Sequence, residues 1–521
     1  MGVLRAAASL GLLVLVAFFV GRLFAFVGIL PYAGYLVTGM LFGAGLPPVE
    51  RSFLFQYALV FLFAYLGYMA SSRRIFSAPF QLFFVHPLRL AVGFALFFSA
   101  LYLTGFDFKT SCIAGILLAT SSSLVVRWGR NTSYALIERS ILSMDALISG
   151  LILLYVVNEP VASILLTALT YIALMYSSSI FFSVSVLVAF AFLLMEGYVG
   201  YYSLAFVLGV VLHHVFDHMR MHWAEGILQE VLPIVFLVGI AAWAGLFFTP
   251  VAGIYLVSLA FLSLLQNFVS LVVLGSVFGV SPKTGAHILA RTFGPSEAAL
   301  FAAAILPTSP AFVCAVLWFY FIAIVFSSYV RTEKDAEHLL SSLFPKTLFR
   351  SIEELEYAYS RVFVRHHVVF SDAYRQRVSQ LSKKMLAGII LLSTAAFSLI
   401  YLVFNTSFPY RGLLILFSVM LLAAVLARLL QWYFRFYETT IFFISDHAYA
   451  GKIRPGRSIY YFVAGFLLTL VGFVAIPFSV PLFNFVYLFF ALLIVNAGLY
   501  LLLSSYAKIY HEFVTKKEYG L

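Results

Sequence analysis

The chain has 521 residues, of which 63% are hydrophobic and only 10% charged, and its mean hydropathy is +1.03. Soluble domains do not carry so much apolar sequence, and the strands of a membrane β-barrel would alternate polar and apolar residues instead of forming long apolar runs. The net charge of +11 comes from Lys and Arg in predicted loops, which is typical of cytoplasmic loops and indicates no nucleic-acid partner. The composition therefore predicts an all-α polytopic membrane protein in contact with lipid.

Apolar runs of about 20 residues, each long enough to cross a bilayer as a helix, recur along the whole chain. About thirteen such spans are predicted before residue 331, with 160–196 divided into two: 8–28, 32–46, 53–71, 86–106, 110–127, 135–157, 160–177, 179–196, 200–216, 228–248, 251–279, 283–306 and 309–330. About four more are predicted near the end: 385–405, 412–436, 458–478 and 481–505. We therefore divide the chain into a transmembrane domain (1–330), a polar helical linker (331–384) and a C-terminal module (385–521).

The distribution of basic residues predicts the orientation, because cytoplasmic loops of membrane proteins are enriched in Lys and Arg. With the N-terminus outside, the loops assigned to the inside hold most of them: Arg73, Arg74, Arg127, Arg130, Arg220, Lys283, the 331–384 linker, Lys452, Arg454 and Arg457. The outside loops hold only Lys109 and Arg411. We expect a multi-pass protein of the cell membrane with its N-terminus outside and its C-terminus in the cytoplasm.

Two spans carry residues that interrupt a helix. Span five contains four consecutive hydroxyl residues, Thr120 to Ser123, and span twelve contains Gly294, Pro295, Ser296 and Glu297 in mid-segment. Proline removes a backbone hydrogen bond, and interrupted segments in corresponding places of two halves are typical of transporter sites. Because spans five and twelve are an odd number of spans apart, they cross the membrane in opposite directions, which indicates an inverted repeat.

Asp145 lies in the middle of span six, one span after the hydroxyl residues. A charge at that depth costs at least a few kcal/mol, so an intramembrane acid is a candidate for function. Its carboxylate, the hydroxyls of Thr120, Ser121 and Ser122, and the carbonyls of a broken helix would form an oxygen site suited to a hard cation. Since burial favours the protonated form of a carboxylate, protons would compete with that cation. The alternative is that Asp145 only bonds a neighbouring helix.

Glu297 is a second mid-span acid, and two readings of it stay open. It is either a second titrating group or a structural partner of a broken-helix end or of Arg291. The sequence contains no Walker loop, no GxGxxG fingerprint and no nucleophile elbow, so we expect neither an enzyme nor a cofactor.

Several segments, taken in order over residues 1–330, resemble the monovalent cation:proton antiporter superfamily, particularly its sodium–proton exchanger and potassium-efflux branch. "LPYAGYLVTGMLFGAGL" is similar to the family's second-span signature, "LLATSSSLVV" to its first broken helix, and "RTFGPSEAAL" to its second. "SMDALISG" falls where the family has its paired acidic motif.

The resemblance implies a fold of about thirteen helices with a dimerisation part and a core part, the core made of spans four to six and eleven to thirteen. It implies homodimers and elevator-like alternating access. It assigns cation and proton binding to Asp145, and supporting roles to Thr120, Ser121, Ser122 and Glu297. The other residues expected to support the core are Met144, Gln266, Asn267, Arg291 and Ser296.

The chain departs from the family pattern at three places. Met144 stands at the first position of the paired motif, where relatives have Asp or Asn, and span eleven offers Gln266 or Asn267 where relatives often have Lys or Arg. Loss of one acid together with one base keeps the charge of the site balanced, which predicts one-for-one, electroneutral exchange. The C-terminal module has no counterpart in the family, and we expect it to regulate, to stabilise a dimer or to dock a partner protein.

The leading hypothesis is a secondary antiporter that exchanges Na⁺ or K⁺ for H⁺ at Asp145. A non-transporting membrane subunit or sensor that kept the fold is one alternative, with Met144 and Gln266 as signs of lost transport. A carrier of another solute, such as an anion, is the other, because Arg291 lies beside Gly294 to Ser296 and helix N-termini and arginine favour anions.

Overall fold

The computed structural model describes residues 2–43, 45–70, 75–76, 79–124, 135–177, 179–245, 249–278, 280, 282–330, 338, 372–404, 416, 419–421, 424–429, 431–436, 439, 456–479 and 485–518. Seventeen α-helices are named within these ranges: α1 Gly2–Phe26, α2 Pro31–Gly43, α3 Pro48–Met69, α4 Pro79–Leu103, α5 Phe108–Ala119, α6 Ala135–Val156, α7 Val161–Tyr176, α8 Ile180–Met195, α9 Tyr201–Met219, α10 His222–Ala244, α11 Pro250–Asn267, α12 Pro282–Thr292, α13 Glu297–Ile305, α14 Pro310–Tyr329, α15 Asp372–Phe404, α16 Gly456–Ser479 and α17 Phe485–Glu518. A π-helical turn, Phe268–Val273, and a 3-10 turn, Gly275–Phe278, continue α11.

The prediction of an all-α polytopic membrane protein is confirmed. In the part of the chain that the structure describes, ten helices are long and apolar enough to cross a membrane, and four shorter apolar helices accompany them. The predicted division of 160–196 is also confirmed, since α7 ends at Tyr176 and α8 begins at Ile180. The basic loop residues Arg73, Arg74, Arg127, Arg130, Arg411, Lys452 and Arg454, and most of the predicted linker, lie outside the described residues.

Side-chain caps mark the starts of several spans. Asp107 accepts a hydrogen bond from the backbone N–H of Thr110 at the start of α5, and Thr249 and Ser309 cap α11 and α14 in the same way. Proline is the first residue of both α11 and α14, where the missing N–H costs nothing. These caps accept hydrogen bonds from backbone N–H groups at the helix starts, for which lipid offers no acceptor.

The two interrupted spans are found where the sequence predicts them. The helix α5 ends at Ala119 and continues as the non-helical segment 120–124, and four residues, 293–296, separate the end of α12 at Thr292 from the start of α13. Ser121 and Pro295 form an antiparallel backbone bridge, so the interruptions cross each other in opposite chain directions. We call residues 120–124 and 293–296 together the crossing.

The helices of the transmembrane domain pack in two groups. One contains α1, α2, α3, α9 and α10, with α7 and α8 packed on α9, and the other contains α4, α5, α6 and α11 to α14. In the first group α3 and α9 approach closely because small residues face each other. A Cβ atom on Gly209 would meet the carbonyl oxygen of Ala64, and one on Gly67 would meet the backbone of Phe206. The crossing belongs to the second group.

The C-terminal module packs against the second group. The helices α16 and α17 lie along each other, α16 also contacts α4, and α15 contacts α7 and α4. The helix α15 begins at Asp372 rather than at the predicted start of the span, 385, because the polar stretch before the span continues as the same helix. Its 33 residues extend for about 50 Å, which exceeds the thickness of a bilayer core.

Candidate ion-binding site

Asp145 lies at the crossing, on α6, and its side chain is fully buried. The backbone N–H of Ser121 donates to Asp145 Oδ2 over 3.0 Å. This N–H is free to donate because α5 has ended at Ala119, two residues earlier. The interruption predicted from the hydroxyl residues therefore supplies a backbone donor to the predicted site acid.

Arg89 on α4 forms an ion pair with Asp145, a contact that the sequence analysis did not predict. Its Nη1 atom lies 2.9 Å from Asp145 Oδ2 and 3.2 Å from Oδ1, and neither side chain is exposed. Its Nε atom donates to Asn267 Oδ1 over 3.1 Å, and its Nη2 atom donates to the Ala119 carbonyl over 3.2 Å and to the Ser121 hydroxyl. All three guanidinium nitrogens are thus used inside the site.

The expected absence of a base near Asp145 is therefore corrected. The base comes from span four, not from span eleven, where only Gln266 and Asn267 were considered. Arg89 stands inside the predicted span 86–106 but close to its predicted start, where a long basic side chain reaches the membrane surface at little cost. Its place in an apolar segment was the signal in the sequence, and a weaker one than that of the mid-span Asp145.

Gln266 and Asn267 donate hydrogen bonds to the backbone at the ends of the two broken helices. Gln266 Nε2 donates to the carbonyls of Ala119 and Arg89, over 2.8 and 3.2 Å. Asn267 Nδ2 donates to Ser263 O over 3.0 Å and to Thr292 O over 3.4 Å. Ala119 and Thr292 are the last residues of α5 and α12, so these amides pair carbonyls that each helix end leaves free. The π-helical turn that follows Asn267 is a feature frequent at functional sites.

Glu297 is a second fully buried carboxylate, on the first turn of α13. Glu297 Oε1 accepts from the Ser122 hydroxyl over 2.6 Å, from the Tyr320 hydroxyl over 3.1 Å and from the Leu124 N–H over 3.1 Å. The Ser123 N–H lies 3.4 Å from Oε2. Of the two structural partners expected for Glu297, the broken-helix end is the one observed.

Arg291 pairs instead with Glu138, seven residues before Asp145 on α6. The Arg291 Nε atom lies 3.1 Å from Glu138 Oε1, and Nη1 lies 3.3 Å from Oε2. Both side chains are buried. This ion pair joins α12 to α6, and the Glu138 carboxylate balances the charge of Arg291.

The remaining predicted residues differ in what they contribute. The Thr120 hydroxyl donates to the Leu117 carbonyl over 2.7 Å and shares a hydrogen bond of 2.8 Å with the Ser296 hydroxyl, and the Ser121 hydroxyl donates to the Thr292 carbonyl over 3.0 Å. These bonds join the two interruptions directly. Met144 is buried beside Asp145 in sequence and offers only a weakly accepting thioether sulfur.

His86 is a second neighbour of Asp145 that the sequence analysis missed. It lies one turn before Arg89 on α4, and its Nδ1 atom is 3.7 Å from Asp145 Oδ1. That distance is longer than a hydrogen bond, and neither ring nitrogen has a hydrogen-bond partner among the described residues. The imidazole is 1% exposed, so it extends the polar surface on the α4 side of Asp145.

The buried charges that the structure describes around the crossing do not cancel. Arg89 and Arg291 contribute two positive charges, and Asp145, Glu297 and Glu138 contribute three negative charges when ionised. With a neutral His86, these described side chains carry one excess negative charge. Among the described residues no group of three or more His, Cys, Asp or Glu side chains could hold a metal ion. A cation here would be bound mainly by one carboxylate, hydroxyls and carbonyls.

No family model matches this chain, and no curated protein matches it. Among solved structures, matching chains include that of the sodium proton antiporter MjNhaP1 from Methanocaldococcus jannaschii at pH 8. The two chains are 14% identical, the match covers 65% of this chain and 98% of that one, and the TM-score is 0.43.

Proposed function

We propose that this protein is a secondary antiporter that exchanges a monovalent cation, Na⁺ or K⁺, for H⁺ at Asp145. The observation that carries the proposal is a fully buried carboxylate at the crossing of two interrupted helices, paired with Arg89 and close to a second buried carboxylate, Glu297. Buried charges of this kind are expensive in a membrane and mark ion pathways and proton relays.

The excess charge at the crossing supports one-for-one exchange. One excess negative charge is neutralised by one Na⁺, by one K⁺ or by one proton. An uncompensated buried charge costs several kcal/mol, so the site is stable when it is loaded with one of these and unstable when it is empty. The site then carries the same net charge when it moves loaded with the cation as when it moves loaded with the proton, and the exchange is electroneutral.

Arg89 is the internal competitor of the cation. The cation needs the oxygens of Asp145 to which Arg89 Nη1 donates. Arg89 keeps other acceptors when it releases Asp145, namely Asn267, the Ala119 carbonyl and the Ser121 hydroxyl. It therefore does not need to leave the site, and a small displacement of the guanidinium is enough to open Asp145 to a cation or a proton.

Alternating exposure of the site follows from the packing in two groups. We infer that α4 to α6 and α11 to α14 move as a body against α1 to α3, α9 and α10, in an elevator-like motion, and that the protein acts as a homodimer. We retain the orientation with the N-terminus outside and the C-terminus in the cytoplasm. The linker 331–384 and the C-terminal module are proposed to be accessory parts of this transporter.

Of the two alternative functions, the anion carrier loses support and the non-transporting subunit keeps part of its support. The anion carrier needed a free Arg291, and Glu138 matches the charge of that arginine. The non-transporting subunit is favoured by the closed Arg89–Asp145 pair and by the many internal hydrogen bonds of the crossing. Cation-dependent proton movement separates it from the antiporter.

The experiment uses purified protein in liposomes that enclose a pH-sensitive dye. A pH gradient is imposed, and Na⁺, K⁺ or Li⁺ is added to wild type, Asp145→Asn and Glu159→Gln. Glu159 is the matched control, because it is a buried carboxylate outside the crossing that accepts hydrogen bonds from Ser163 and Tyr202. The proposal expects wild type and Glu159→Gln to dissipate the gradient and Asp145→Asn to fail. A folded wild type that responds to no cation would support the non-transporting subunit instead.

A further inference from the structure

The helix α4, which carries Arg89, contains Pro87, two residues before the arginine. Proline has no N–H, so the carbonyl of Phe83, four residues earlier, loses its partner within the helix. The hydroxyl of Tyr433 donates to this carbonyl over 2.8 Å, from a position 350 residues away in sequence. Tyr433 is 4% exposed, so the hydrogen bond is buried.

This contact is surrounded by aromatic rings from the C-terminal module. The Phe84 ring lies 5.6 Å from Tyr433 and 5.0 Å from Phe466 of α16, measured between ring centroids. Phe84 also stacks on Phe278, with centroids 5.4 Å apart and planes 17° from parallel. Aromatic pairs at these distances add about 0.5–1.5 kcal/mol each to the area they bury. The module thus packs against α4 in the turn that precedes Pro87.

The same module reaches the second element that holds Arg89. Phe278 is the last residue of the turns that follow Asn267, and it lies 5.6 Å from Phe462 and 5.7 Å from Phe466. Asn267 accepts the Nε hydrogen bond of Arg89. The C-terminal module therefore contacts both the helix from which Arg89 projects and the segment that receives its guanidinium.

We propose that Tyr433 is a positioning residue for Arg89. By donating to the Phe83 carbonyl, which Pro87 leaves without a partner in the helix, it fixes the direction of the following turn of α4 and holds the guanidinium against Asp145. The C-terminal module thereby sets how strongly Arg89 competes with the cation. This inference rests on the proposed function and gives the module a place in it.

A structural role alone has a different signature. If Tyr433 only filled space, Tyr433→Phe would keep the ring, and any loss would reduce the amount of folded protein and hence the maximal rate. If it positions Arg89, loss of the hydroxyl loosens the turn, Arg89 holds Asp145 less firmly, and the cation competes better. The apparent KM for the cation then falls by about threefold to tenfold, the range expected for one lost buried hydrogen bond.

The test measures apparent KM and maximal rate in liposomes for wild type, Tyr433→Phe, Arg89→Lys and the double variant. The control is Tyr460→Phe, which removes an exposed hydroxyl from the same module. Because the effect of Tyr433 passes through Arg89, Tyr433→Phe is expected to lower KM in wild type and to leave KM unchanged in the Arg89→Lys protein. Tyr460→Phe is expected to leave KM unchanged. If Arg89→Lys does not fold, Asn267→Ala replaces it. Because this change already loosens Arg89, Tyr433→Phe is then expected to lower KM less than it does in wild type.

The positioning role is overturned if Tyr433→Phe leaves KM at the wild-type value, or if its effect persists undiminished in Arg89→Lys. Failure of transport itself is separated by measuring the cation-dependent rise in melting temperature of the detergent-purified proteins. If wild type transports and Tyr433→Phe has the same KM, the positioning role of Tyr433 is overturned and the proposed function stands. Wild type could instead bind the cation without transporting it. If Tyr433→Phe then shifts the Kd only in proteins that retain Arg89, the positioning role stands and the proposed function fails. A wild type that neither transports nor binds a cation removes both.

Discussion

Replacement of Arg89 by Gln tests the ion pair at the centre of the site. The change leaves the Asp145 carboxylate buried without its charged partner, 2.9 Å from where the guanidinium stood. Breaking a buried pair by removing one partner costs about 3–5 kcal/mol, because the remaining charge is uncompensated. The three other acceptors of Arg89 lose hydrogen bonds worth about 1 kcal/mol each, and Gln recovers only part of them.

The second variant, Arg89→Gln with Asp145→Asn, separates these contributions. Asn removes the buried charge but still offers an oxygen to the Ser121 N–H, so only the hydrogen-bond losses remain. We expect the double variant to be more stable than Arg89→Gln by about 2–3 kcal/mol, a negative departure from additivity. The assay is reversible unfolding in mixed micelles at pH 7.5, where the four proteins complete a double-mutant cycle. Additive losses, with the double variant the least stable, would refute the claim that the two side chains form one buried pair.

Three further predictions concern the charges around the crossing. Glu297→Gln removes the excess negative charge while its side chain still accepts from Ser122, so the apparent cation affinity measured in liposomes falls at least about tenfold in a protein that still folds. Wild-type affinity in this variant would assign Glu297 a structural role only. Arg291→Met lowers stability by about 3–5 kcal/mol, and adding Glu138→Gln recovers more than half of the loss in the same unfolding assay; no recovery would contradict the buried pair. Met144→Asp adds one negative charge beside Asp145, so exchange becomes sensitive to an imposed membrane potential, and an unchanged, potential-independent rate would contradict the charge argument.

Much of the fold is readable from the sequence because the membrane simplifies the problem. Span lengths follow from the thickness of the hydrocarbon core, and the interruptions follow from Pro295 and from the run of hydroxyl residues at 120–123. Asp145 was identifiable because an acid in an apolar segment is costly. The opposite directions of the two interruptions followed from the odd offset between spans five and twelve.

The partners of the site residues were not readable in the same way. Which helix supplies a base to Asp145 depends on tertiary packing, and the family pattern points to span eleven, where this chain has Gln266 and Asn267. Arg89 follows Pro87 in a span whose predicted start, 86, lies seven residues after the observed start of α4, so the arginine looked close to the membrane surface. The longer helix places it in the interior.

The contact between Tyr433 and Phe83 has no sequence signal that a single chain reveals. The two residues are 350 positions apart, and the freed carbonyl is a backbone group whose need is set by Pro87 alone. A proline inside an apolar span predicts that some donor must reach the carbonyl four residues earlier, but not where that donor lies.

The most direct measurement of the central claim is uptake of radioactive Na⁺ or K⁺ into liposomes, driven by an outward proton gradient. Wild type and Asp145→Asn are compared with the membrane potential clamped at zero and at an inside-negative value. Electroneutral exchange at Asp145 predicts equal wild-type uptake at both potentials and no uptake in Asp145→Asn. Uptake that persists in a folded Asp145→Asn protein would contradict it, because the cation would then be bound elsewhere.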